Sequence, residues 1–119
     1  MPATTPIDPQ AIESLRALNP GDNDEFLREI AGIYLDDTPV RLAELDRSLA
    51  AGDIPTFTRA AHSIKGSSGN VGATDVRTVA ERLEHHSREH GLADVAPLIA
   101  ELRAEYDRAE AELRRIIKR

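Results

Sequence analysis

The sequence predicts an all-α fold, an antiparallel up-down four-helix bundle with an additional short N-terminal helix, and three observations carry that expectation. Apolar residues recur at steps of three and four in six segments, no stretch alternates with period two or strings β-branched residues together, and the connections are short. A chain of 119 residues suits one domain around one core. Residues 1–7 read as a disordered lead, because two prolines and small polar side chains offer little to bury. The single domain then spans 8–119, with the bundle core at about 22–117.

The first segment, about Asp8 to Leu18, sets Ile12, Leu15 and Leu18 on one face and stops at Asn19-Pro20-Gly21. The second, about Asn23 to Asp37, carries Phe26, Leu27, Ile30, Ile33 and Tyr34 as its apolar stripe, with acidic residues in its first turn. Thr38-Pro39 has the form of an N-cap followed by proline at the first helical position, opening a third segment with Leu42, Leu45 and Leu49 inward and Ala51-Gly52 at its end. Asp53 is the next N-cap, and Ile54, Phe57, Ala61, Ile64, Ser68 and Val71 form a bundle seam behind it. The fifth segment, about Thr74 to His90, places Val76, Val79, Ala80 and Leu83 inward, with Gly91 as its stop. The sixth, about Asp94 to Ile117, does the same with Val95, Leu98, Leu102, Tyr106, Ala109, Leu113 and Ile116.

Composition narrows the function. The formal charge of −6 lacks the cationic stripe of a nucleic-acid binder, so nucleic acid is not an expected partner. The absence of cysteine removes disulfides, thiolate metal sites and thiol nucleophiles, and points toward a reducing compartment, the cytoplasm. No apolar run is long enough to span a bilayer, and the first residues have neither the charged nor the apolar region of a signal peptide. Charged outer faces without a large apolar surplus give the expectation of a monomer.

Chemistry concentrates on the fourth segment. At about 100° per residue His62 falls beside the seam of Ala61 and Ile64, and is therefore expected on the surface. Thr58, Arg59, Lys65 and Gly66 are its neighbours at three and four residues, and Gly69 lies a turn further along. A glycine inside a helix costs about 1 kcal/mol against alanine, so Gly66 and Gly69 call for a compensating reason such as close approach of another backbone. Taken one at a time, an exposed histidine, a lysine and two glycines are ordinary surface residues or a frayed helix end. Together they suit a phosphoryl acceptor, since neutral imidazole is a nucleophile near pH 7 and neighbouring cations favour the neutral form before transfer and offset phosphate charge afterwards.

The stretch Ala61-His62-Ser63-Ile64-Lys65-Gly66-Ser67-Ser68-Gly69-Asn70-Val71-Gly72-Ala73 resembles the signature of histidine phosphotransfer (HPt) domains: a His, a hydrophobic residue two positions on, Lys-Gly, small residues, and Gly-Ala after an aliphatic residue. The resemblance extends from about Asp22 to the C-terminus. It implies phosphorylation of His62 on Nε2, screening of the phosphoryl group by Lys65, and room for a partner at Gly66. Arg59, Ser67 and Gly69 are expected on the partner-binding face, with Gly72 shaping the helix junction. Where some members have Gln, spacing puts Glu84 here; a carboxylate there accepts a bond from neutral imidazole but repels a phosphoryl group, and an ion pair with a neighbouring arginine is the competing expectation.

The family resemblance implies receiver domains and a sensor or hybrid histidine kinase as partners, no bound cofactor, and Mg²⁺ on the receiver side. Nothing in the sequence resembles the Gly-x-x-x-x-Gly-Lys-Ser phosphate loop, so a carrier is expected and not a kinase. Two alternatives stand beside it: the phosphorylatable domain of a larger sensor kinase, and a scaffold that docks receivers without turnover. Met1 and an end just past the last helix favour a free-standing protein. His86 and His90, four apart among acidic residues, suggest a metal site only weakly, because Glu25 and Glu29 lie beside the stripe of their segment and not in it; no metal is expected.

Overall fold

The computed structural model describes residues 5–118, and the six expected segments appear in it as five helices: α1 (Pro9–Leu18), α2 (Glu25–Ala51), α3 (Ile54–Val71), α4 (Thr74–His90) and α5 (Ala96–Ile117). Each bundle helix packs on the next, and α5 returns to α2, which closes the up-down ring. Two predicted boundaries hold locally. Asp53 caps α3 by accepting from the Thr56 amide at 3.2 Å, and Gly91 ends α4.

The correction lies at Thr38-Pro39, which does not open a new helix. Thr38 is buried, and its hydroxyl donates to the Tyr34 carbonyl one turn back at 2.7 Å, so the side chain expected to cap the next turn joins the preceding one. Proline inside a helix costs about 3 kcal/mol. Burial on both sides of it, by Leu27, Tyr34 and Leu35 before and Leu42 and Leu45 after, contributes roughly 1.5–3 kcal/mol for each large side chain and holds the two halves as one rod.

The apolar stripes also need adjusting at their margins. Leu18, at the last position of α1, is exposed, as are Ile54 in the first turn of α3 and Ile33, which turns away from the buried Ala31, Tyr34 and Leu35 and is 58% accessible. Among the described residues no helix is long and apolar enough to cross a membrane.

Residues 1–4 of the expected lead lie outside the described residues. Its last residue does not follow the expectation: Ile7 is buried in the core, and the next amide, Asp8 N–H, donates to the Gly72 carbonyl at 2.8 Å. Gly72 ends α3 with φ +76°, and a Cβ there would sit 2.5 Å from Ala11 Cβ and 3.2 Å from the Asp8 carbonyl. The glycine therefore serves two needs, a left-handed turn and a seat for α1. Gly72→Ala is expected to lose about 1–2 kcal/mol for the left-handed backbone alone, plus the cost of displacing α1. Thermal unfolding reads the loss, and faster amide exchange confined to residues 8–18 shows that α1 has lifted.

Candidate functional site

The site is built on α3, which packs against α1, α2 and α4. Phe57, Ala60, Ala61, Ile64, Ser68 and Val71 face inward. Two polar bonds fix the helix on either side: Tyr34 OH with Ser68 Oγ at 2.9 Å toward α2, and Thr58 Oγ1 with Ser87 Oγ at 2.7 Å toward α4. Polar pairs of this kind, the first buried and the second part-buried, are specific in register, since a one-residue slip would leave each hydroxyl without its partner. With the seam so fixed His62 must face outward, and its side chain is 63% accessible.

Behind the imidazole lies Glu84, only 4% accessible. Its Oε2 is 2.8 Å from His62 Nδ1 and 2.8 Å from an Arg88 guanidinium nitrogen, and its Oε1 is 2.7 Å from Lys65 Nζ. A carboxylate only accepts, so Nδ1 carries the hydrogen and donates it. In the neutral form of the ring the lone pair is then on the other nitrogen, Nε2, on the exposed side.

Burial of the Glu84 carboxyl opposes ionisation, but hydrogen bonds from Lys65, His62 and Arg88, together with the Lys65 charge, outweigh it and hold the group down at about 2. A carboxyl whose folded value lies below its unfolded value of 4.5 stabilises the fold above that value. The contribution, on the order of 3 kcal/mol, disappears as pH falls from about 4.5 through about 2. Urea unfolding between pH 6 and pH 2 is expected to show this loss, and Glu84→Gln to remove much of the slope.

The sequence-predicted residues divide in space. Arg59 shares a shallow open groove with His62, Ile54, Pro55, Thr58 and Arg88. Lys65 reaches the site through Glu84, so the nearest charged neighbour of the ring is a carboxylate and not the expected cation. At Gly66 an added Cβ would meet nothing within 4 Å, and at Gly69 it would meet only the Arg77 side chain at 3.4 Å. Neither glycine is crowded by another backbone of this chain; the space at Gly66 opens to solvent. Ser67 turns its hydroxyl back to the Ser63 carbonyl at 3.0 Å, and Gly72 lies under α1, apart from the imidazole.

Both expectations for Glu84 hold together, the bond to imidazole and the ion pair with an arginine. The carboxylate meets the ring at Nδ1, so it does not oppose a group on Nε2 head-on. Arg88 was not singled out in the sequence, although it stands four residues after Glu84, the spacing at which helix side chains meet. Among the described residues no cluster of three or more His, Asp or Glu is placed to hold a metal ion. His86 instead donates Nε2–H to the Ala93 carbonyl at 2.6 Å.

The Hpt domain family model matches residues 29–112 of the chain. The chain belongs to the Hpt domain family. This Hpt domain is 30% identical over 80 residues, 67% of its length, to multistep phosphorelay regulator 1 of Schizosaccharomyces pombe (strain 972 / ATCC 24843), and it spans 27% of that longer protein. Its fold is similar to histidine-containing phosphotransfer protein B (HptB) of Pseudomonas aeruginosa PAO1, with a TM-score of 0.85, 26% identity and 95% of each chain covered. The HPT domain of a sensor hybrid histidine kinase from Shewanella has the same fold, at a TM-score of 0.75 and 18% identity over 96% of this chain and 95% of that one.

Proposed function

We propose that His62 is the phosphoryl acceptor of this Hpt domain, taking the group from the aspartyl phosphate of one receiver domain and passing it to the aspartate of another. Histidine phosphotransfer in phosphorelays is the function of the domain. It acts as a carrier: a sensor or hybrid histidine kinase upstream supplies the ATP chemistry, receivers supply Mg²⁺, and the domain itself holds no resident cofactor. One observation carries the assignment of His62. The bond from Nδ1 to the buried Glu84 carboxylate fixes the tautomer and leaves the Nε2 lone pair on an exposed helix face.

Attack by Nε2 in line with the departing aspartate oxygen needs little covalent help and much positioning. Glu84 positions the ring. Lys65 and Arg88, two cations against one carboxylate, leave a net positive charge beside the imidazole to offset phosphoryl oxygens. Arg59 extends that charge along the groove, and Gly66 keeps the surface next to Nε2 open for the receiver. Ser67 and Gly69 belong to the same docking face by their position on α3. The same reading makes the domain a cytoplasmic monomer, supported by its cysteine-free sequence and charged outer faces.

The test is transfer from a phosphorylated receiver in the presence of Mg²⁺, followed by acid and alkali treatment of the product. An acid-labile, alkali-stable phosphoryl group on this chain is the expected result. Absence of transfer from several receivers to the folded protein would move the assignment to a docking scaffold without turnover.

A further inference from the structure

We infer that Glu84 keeps the proton on Nδ1 of His62 after the phosphoryl group has reached Nε2, so that the domain carries a phosphoimidazolium and gives up its group without any proton transfer. The inference rests on His62 being the acceptor, and concerns what the site does to the phosphorylated ring.

Consider the bonds. As Nε2 attacks, its lone pair forms the N–P bond, the O–P bond of the aspartyl phosphate breaks, and that electron pair returns to the aspartate carboxylate. If Nδ1 keeps its hydrogen, the ring becomes a cation. An isolated ring can then shed the Nδ1 proton to water and become a neutral phosphoimidazole. Here Nδ1 points at Glu84 Oε2 from 2.8 Å. Loss of the proton would set a ring lone pair against a carboxylate oxygen, two acceptors with no donor between them, at a buried group that cannot turn to water.

The surrounding charges favour the same outcome. Lys65 and Arg59 on α3 and Arg88 on α4 are the cations around the ring, and Lys65 and Arg88 are both engaged by the Glu84 carboxylate. Those two bonds resist transfer of the Nδ1 proton to Glu84 itself, and together with the His62 bond and the Lys65 charge they outweigh burial and hold the carboxylate ionised down to about 2. A phosphoryl group on Nε2 adds further negative charge beside the ring. On the return step the N–P bond breaks, its electron pair goes back to Nε2, and the ring is again the neutral Nδ1–H tautomer that began the cycle. No proton enters or leaves in either direction. A glutamine at this position can rotate to donate its amide N–H to an unprotonated Nδ1, so it permits the neutral phosphoimidazole, whose leaving group is poorer.

The experiment uses protein labelled with ¹⁵N at histidine, phosphorylated chemically with phosphoramidate, and follows the Nδ1–H signal of His62 from pH 6 to pH 9 in the parent and in Glu84→Gln. The parent is expected to hold the Nδ1 proton to a pH roughly 1–3 units higher than the variant, the range by which a neighbouring opposite charge favours a charged form. Onward transfer to a receiver should be flat with pH in the parent over that interval and fall with rising pH in the variant. Loss of the Nδ1 proton at the same pH in both proteins would overturn the inference while leaving His62 as acceptor. Phosphorylation at a different residue, or none on the folded protein, would overturn the acceptor assignment and this inference with it. Should the variant fold poorly, the parent alone still decides: an Nδ1–H signal kept to pH 9 is expected, and its loss at the start of the pH 6 to 9 interval overturns the inference.

Discussion

Replacing His62 by glutamine is expected to abolish phosphoryl acceptance and to leave the bundle folded. A complete loss is expected because the neighbouring side chains are otherwise engaged: Lys65 is held by Glu84, and the Thr58 and Ser67 hydroxyls are committed to Ser87 and to the Ser63 carbonyl. Stability should stay within about 0.5 kcal/mol, as for other exposed positions, since the glutamine amide can donate to Glu84 in place of Nδ1–H. Transfer from a phosphorylated receiver, measured beside circular dichroism and urea unfolding, checks both halves. Transfer retained at full rate in the glutamine variant would remove His62 from the chemistry.

Gly66 separates stability from function. The position is helical, exposed and empty around the missing Cβ, so Gly66→Ala is expected to stabilise the domain by up to about 1 kcal/mol. Gly66→Leu keeps good helix propensity but raises a side chain one turn from His62, where, under the proposed function, a receiver brings its phosphoryl group into line. A misplacement of about 1 Å in such a step can cost on the order of 10²-fold in rate, and a loss of that size is expected for the leucine variant without loss of stability. Receiver-to-domain transfer rates and urea midpoints for the pair settle it. Unchanged transfer with leucine would place the docking surface on another side of His62.

Much of this was legible in the residues. The Asp53 cap, the Gly91 stop and the exposure of His62 follow from local rules, because cap geometry and a 3.6-residue repeat act within a few positions. The continuity of α2 through Pro39 was not legible: it depends on Thr38 bonding backward and on burial contributed by the rest of the bundle, which no local pattern contains. Ile7 looked like part of a featureless lead because the residues beside it include Glu112, Arg115 and Ile116, far along the chain. At the site, the signature picked out His62, Lys65 and Gly66, whereas the carboxylate joining His62, Lys65 and Arg88 required α3 and α4 to be laid side by side. Spacing alone marked Glu84 as a position, and its burial decided its role.

The hydroxyl pairs on the two sides of α3 bear on the thermodynamics of a relay. They tie the backbone beneath His62 to α2 and to α4, so the proposed acceptor has little main-chain freedom to lose when a receiver arrives. Encounter then carries a small entropic penalty on this side of the complex, and affinity need not be high for the reacting atoms to align. A shuttle benefits from that balance: it must release each partner after every exchange, and preorganisation lets it be quick without being sticky.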